Sequence, residues 1–288
     1  MREQVIQHQR DERLAILTSF VVVGAIASAL VALPSREFVL ELFGSELALR
    51  FTGPVQTLAL LLLLLCGGLD ALVRTPAEVS GPSVSSEAPS ASPFLYRAAY
   101  YALPVTVTTI GVVAVHSLQW WGYVVAAGVL LGLLLAGVIA MQRATHTLST
   151  PTHRLMRLVL NAIAYALALG LFGLIFATRV RSVVTASATM LIAGLLSTEL
   201  YRNSTSSPAR IWLYAGLTGL LMGQLTWALN YGAFSTTVGA ALLLLAFYAA
   251  TGIVQQHLWN RLTQRVMIEY IVVYLVGLAA IALFARAV

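Results

Sequence analysis

Long apolar runs broken by short polar stretches dominate the chain. Nine of them, at about 14–33, 55–73, 98–118, 121–141, 155–177, 182–199, 211–230, 233–254 and 266–285, are long enough to cross a bilayer, since roughly 20 apolar residues at 1.5 Å rise span the hydrocarbon core. The pattern predicts an all-α integral membrane protein of about nine transmembrane helices. None of the nine carries a charged residue near its middle. Intramembrane charges are the usual marks of proton relays and coupled transport, and here they sit at helix ends.

One polar–apolar alternation breaks the helical pattern. Folding FVLELFGSELALRF (38–51) at Gly44-Ser45, a type II′ turn pair, would pair Leu42 with Leu47, Leu40 with Leu49 and Phe38 with Phe51. All six would share one face, with Glu41, Glu46 and Arg50 on the other. This predicts a small outer β-hairpin against the membrane; an interfacial amphipathic helix is the competing reading. Residues 75–94, rich in Ser, Pro, Ala and Gly, have almost nothing to bury and read as a flexible inner linker.

The chain also repeats itself. His146, Thr152, Arg154 and Met156 recur without a gap as His257, Thr263, Arg265 and Met267. Upstream, Ser92-Pro93 with Tyr101-Ala102 resembles Ser207-Pro208 with Tyr214-Ala215. An internal duplication of this kind predicts one helix plus two parallel four-helix repeats. The expected organisation is 1–54 for the first helix and hairpin, 55–178 for the first repeat and 179–288 for the second. Because four is even, both copies would have the same orientation, related by an axis along the membrane normal.

Composition agrees with lipid as the solvent. Hydrophobic residues make up 59% and charged residues 10%, where a soluble domain carries about 25% charged. The net charge of +6 is scattered through short loops, which encodes topology rather than a nucleic-acid surface. With the amino terminus inside, twelve arginines fall in inner segments and five in outer ones, predicting a cytoplasmic amino terminus and an outer carboxy terminus. The first 13 residues balance Arg2, Arg10 and Arg13 against Glu3, Asp11 and Glu12, so the first apolar run reads as a retained helix, not a signal peptide. All 17 basic residues are arginine. A retinal Schiff base, a lysine nucleophile and a Walker-type lysine are therefore excluded. The single Cys66 can form neither an intrachain disulfide nor a cysteine-rich metal site.

Few polar residues invite chemistry. His116, Trp120, Trp121, Asn161, Gln224, Trp227, Asn230 and Tyr231 are candidates for a polar, aromatic ligand pocket between the repeats. His116 is also a candidate haem or chlorophyll ligand, although no second histidine lies at its depth; its ordinary role is in the interfacial aromatic belt. Asn161, well inside a span, would by default hydrogen-bond another helix. At the inner rim, Asp70 with Arg74, Glu199 with Arg202 and Arg265 with Glu269 have the spacing of helix-face ion pairs. Gly128-x-x-x-Gly132 and Gly219-x-x-x-Gly223 are candidates for close helix packing. No nucleophile elbow, zinc-protease motif or nucleotide loop occurs, and Asp11 and Asp70 are the only aspartates, which argues against an enzyme.

The run LELFGSELALRFTG continuing through CGGLDALVRTP resembles an uncharacterised family of multi-span membrane proteins from Chloroflexota-type bacteria, a domain of unknown function. The likeness covers about 40 residues and implies a bacterial inner-membrane location without an activity or cofactor. Two functions follow from the sequence. One is a non-catalytic accessory or structural subunit, partnered by lipids and by other membrane proteins or further copies of itself. The other is a carrier or receptor for a lipid-like or weakly polar molecule bound between the repeats.

Overall fold

The computed structural model describes residues 2–31, 34, 36–42, 45–74, 93–147, 151–178, 182–202, 204–205, 207–232 and 234–287. Among these residues are nine helices: α1 (Arg2–Leu30), α2 (Gly53–Arg74), α3 (Pro93–Ser117), α4 (Trp121–Thr147), α5 (Pro151–Thr178), α6 (Ser182–Arg202), α7 (Pro208–Asn230), α8 (Thr236–Leu258) and α9 (Gln264–Ala287). Eight are long and apolar enough to cross a membrane.

Of the nine expected spans, the seventh is the one that falls short of this measure. At 23 residues α7 has the length, but Trp212, Tyr214, Gln224, Trp227 and Asn230 dilute its apolar character. Most of the linker expected at 75–94 lies outside the described residues.

Strands β1 (Arg36–Leu42) and β2 (Ser45–Phe51) pair antiparallel between α1 and α2. Their register differs from the one the leucine alternation suggests. Leu40 pairs with Leu47, Phe38 with Leu49 and Leu42 with Ser45, two residues away from pairing Leu42 with Leu47.

The chain forms two compact units: Met1–Ser85 with Val107–Arg143, and Ser86–Thr106 with Ala144–Val288. A boundary at 178/179 thus falls inside the second unit, where α5 packs on both α6 and α8. In the first unit, glycines let helices approach α1. A Cβ on Gly128 would strike Ile26, and one on Gly24 would strike Leu61 of α2. Leu17, Val21, Leu61 and Leu65 are buried there.

The second unit is built around α6 and α7, the most extensively packed pair. A Cβ on Gly219 would lie 2.5 Å from the Met190 carbonyl oxygen and 3.3 Å from Gly194 Cα, so the two backbones touch. Gly223 sits equally close to Met190 and Ala186. The glycine pair therefore serves close packing within the chain. Without hydrophobic drive between helices in lipid, packing and interhelical hydrogen bonds must hold them. Tyr201 and Thr218 hydroxyls bond at 2.7 Å, Asn230 Nδ2 donates to Thr185 Oγ1 at 2.7 Å, and Gln255 Nε2 donates to the Leu200 carbonyl at 3.0 Å.

Candidate functional site

α5 carries a side-chain stripe that organises one face of the second unit. From Arg154, the neighbours Arg157 and Leu158, then Asn161, Tyr165 and Leu169 recur at steps of three or four, which places them along one helix face. The first four line an open cavity of about 520 Å³, completed by Trp259 and Arg261. The last two line a groove of about 550 Å³ with Ala241, Leu244, Leu245 and Tyr248 of α8 and Gly277, Ala280 and Ile281 of α9.

The turn after α8 aims Trp259 and Arg261. Asn260 has φ 54°, a left-handed conformation that asparagine tolerates better than most side chains. Its N–H donates to the His257 carbonyl at 3.0 Å, and the Arg261 N–H reaches back to the Gln256 carbonyl at 2.9 Å. These two bonds satisfy carbonyls that the helix end would leave bare. The chain then turns into α9 with Trp259 and Arg261 on the rim beside the first turns of α5.

The deeper groove is apolar and aromatic. Tyr165 meets Phe247 and Tyr248 edge-on or tilted at 5.9 and 5.8 Å, and Tyr248 meets Tyr270 at 6.0 Å. Thr251 Oγ1 donates to the Phe247 carbonyl at 2.6 Å and accepts from the Tyr165 hydroxyl at 2.9 Å. The phenol is thereby satisfied, and its ring is fixed as a wall. Small residues on α9, Gly277 and Ala280, leave the opposite wall shallow.

The expected ligand pocket is distributed over separate places. Asn161 opens into the arginine cavity, half-buried and with no interhelical hydrogen bond among the described residues. Gln224 and Trp227 line a different groove of about 320 Å³ between α6 and α7, with Val183, Met190 and Gly223. The two therefore do not share a cavity: spacing along the sequence did not reveal that α5 turns its polar face toward the α8–α9 turn. Trp227 stacks edge-on to Tyr231 at 6.2 Å, and Asn230 is occupied by Thr185.

His116, Trp120 and Trp121 belong to the first unit. The His116 Nδ1 lies 2.9 Å from the Val112 carbonyl, which can only accept, so Nδ1 carries the proton. Nε2 is buried with no hydrogen-bond partner among the described residues. Trp120 packs on Trp121 and Tyr123 at 5.8 and 4.9 Å, and all three are exposed in the manner of an aromatic belt. Among the described residues, no three of His, Cys, Asp and Glu stand together as a metal site.

The ion pairs also differ from the expected rim anchors. Arg202 Nη2 donates to Glu199 Oε1 at 2.6 Å, and both side chains are 1% exposed, so this pair is interior. The guanidinium lies 4.1 Å from the Tyr100 ring centroid, a cation–π contact that gains strength with desolvation. Arg202 Nε and Nη1 have no hydrogen-bond partner among the described residues. Arg265 and Glu269 are both exposed and make no ion pair among the described residues, since water competes for each at the helix start. The Arg74 side chain lies outside the description.

The family model that describes a protein of unknown function, DUF5656, matches residues 33–284. The chain belongs to the DUF5656 family. No curated protein and no solved structure matches it. Within this DUF5656 chain, the role of arginines in topology does not reveal the arginine cavity or the aromatic groove. The three-and-four stripe from Arg154 to Leu169 was the signal that could have found them.

Proposed function

We infer that this protein is a non-catalytic, multi-pass membrane protein that binds a lipid-like molecule, as carrier or receptor, within its second unit. The observation that carries this reading is the apolar groove of about 550 Å³ between α5, α8 and α9. A bundle packed only for structure fills such gaps, because each lost contact weakens it. Here, by contrast, rigid aromatic rings face small residues. The binding place is this groove and not a cavity shared by Asn161 and Gln224.

The test is to purify the chain in mild detergent and weigh what it retains by native mass spectrometry. Retained lipid that is lost on filling the groove with Ala280→Phe supports the reading. Equal retention by the filled variant refutes it.

A second reading, accessory subunit of a membrane complex or self-assembling protein, is favoured by α9. None of its spanning stretch Gln264–Arg286 is buried within the chain. Stoichiometric co-purifying membrane proteins, absent when α9 is altered on its outer face, would establish that role. Arginine sorting supports an amino terminus in the cytoplasm and, if α7 also crosses, a carboxy terminus outside, and the likeness of the 40–76 segment to Chloroflexota-type membrane proteins supports a bacterial inner membrane. The matched His-Thr-Arg-Met segments support the two parallel repeats.

A further inference from the structure

We propose that α7 is the face on which two copies of this chain associate in the membrane, joined through Gln224. The inference is independent of the lipid groove and gives the self-assembling reading a surface other than α9.

α7 lies at membrane depth because it runs along α6, whose stretch Val183–Arg202 is long and apolar enough to span. Tyr201 bonds Thr218, and Asn230 bonds Thr185. These ties lie roughly 18 Å apart along α7, so the two helices share most of a bilayer's depth. The opposite face of α7 is uncovered. It carries Leu213, Leu217, Leu220, Gln224, Trp227 and Tyr231, all exposed. They recur at alternating steps of four and three, the spacing of a seam between two helices.

Gln224 sets this face apart from an ordinary lipid-facing stripe. Its amide makes no hydrogen bond among the described residues. It sits roughly 9 Å from the Asn230 end of the helix, inside a hydrocarbon core about 30 Å thick. An amide left bare at that depth is costly. Lipid tails would cover the leucines but leave the amide without a partner. A second copy supplies the matching group, because a glutamine amide both donates and accepts. Across a two-fold axis each Gln224 donates from Nε2 to Oε1 of the partner's Gln224, and one contact satisfies both. Copies inserted in the same way share one orientation, so the axis lies along the membrane normal and the two α7 helices run parallel. No formal charge lies between Leu213 and Asn230, so like charges do not oppose the approach. Beside the seam, the groove of about 320 Å³ with Val183, Ser187 and Met190 on its α6 side has room for a partner side chain, as a knob enters a hole.

The experiment places the full chain in phosphatidylcholine vesicles and counts copies by single-molecule photobleaching as the protein is diluted in lipid. The chain should be dimeric at high density and dissociate on dilution. Gln224→Leu should raise the dimer dissociation constant about tenfold, whereas Gln224→Asn, which keeps an amide, should stay within about threefold. Neither variant removes a hydrogen bond described within the chain, so circular dichroism melting in detergent should be unaltered. In a Cys66→Ala background, Leu217→Cys, Leu220→Cys and Trp227→Cys should each cross-link to its own copy on oxidation with copper phenanthroline. Leu221→Cys, off the seam, and Val272→Cys on α9 should not.

A chain that stays monomeric at every density overturns the proposal and leaves the lipid groove untouched. A dimer equally tight with Gln224→Leu overturns the role of the amide. Cross-linking at Val272→Cys in place of the α7 positions moves the interface to α9 and overturns the proposal as well.

Discussion

Replacing Gly219 with alanine puts one methyl group where two helix backbones touch. The built Cβ lies 2.5 Å from the Met190 carbonyl oxygen and 3.3 Å from both Gly194 Cα and Gly194 N. Carbon and carbonyl oxygen rest at about 3.3 Å or more, so α6 and α7 must part by roughly 0.8 Å. A flexible side chain would swing aside, but a carbonyl in a hydrogen-bonded helix cannot. Overpacking typically costs about 1–3 kcal/mol, and a backbone obstacle places this case in the upper part of that range. Alanine returns up to about 1 kcal/mol of helix propensity.

Gly216 supplies the control, because it is on the same helix and nothing lies within 4 Å of its built Cβ. Gly216→Ala gains the propensity without the clash. The two variants should therefore differ by about 2–3 kcal/mol in unfolding free energy, with propensity cancelling in the comparison. Titration with a denaturing detergent in mixed micelles, followed by circular dichroism, reads this difference. If Gly219→Ala is as stable as Gly216→Ala, the helices are not held by backbone contact and the reasoning fails.

Other perturbations probe separate links. Arg202→Gln should destabilise by about 3–5 kcal/mol, because it removes the guanidinium from a buried ion pair, while the double variant Glu199→Gln with Arg202→Met should recover most of the loss; a midpoint shift in the same detergent titration decides. Asn260→Gly should be neutral or slightly stabilising and Asn260→Val costly by about 1–2 kcal/mol, since a β-branched residue strains at positive φ; Val as stable as Gly would refute the left-handed turn. Tyr165→Phe should cost about 0.6 kcal/mol, the common worth of an interhelical hydrogen bond in a membrane, yet keep lipid retention, because the ring wall remains; loss of retention would mean that the hydroxyl contacts ligand.

Periodicity and length alone reveal the helices, because an apolar run long enough for a bilayer leaves the backbone no other way to satisfy its hydrogen bonds. The limit of that reasoning is α7. Its length meets the requirement, but polar residues dilute it, and one of them, Asn230, is satisfied by a contact made by the fold, its bond to Thr185. The candidate site was legible only in fragments. Asn161 was singled out, but its surroundings come from Trp259 and Arg261, almost a hundred residues later in the chain. Glu199 and Arg202 were legible as a pair from their spacing. Their burial was not, because it depends on Tyr100 of α3 covering the guanidinium.

That coverage gives the pair a place in the order of synthesis. Tyr100 precedes α6 in the chain, so its ring is made before Arg202 emerges. Thr218, which bonds the neighbouring Tyr201, comes later with α7. A lone α6 would present its two charges as a neutral, hydrogen-bonded couple at the end of its span, where long side chains can still reach water. Burial of the pair would then need both Tyr100 and the packing of α7 along α6, and water would leave only when α7 arrives. The end of α6 is thus built to wait near the membrane surface, and a chain cut between α6 and α7 should leave Arg202 open to aqueous reagents.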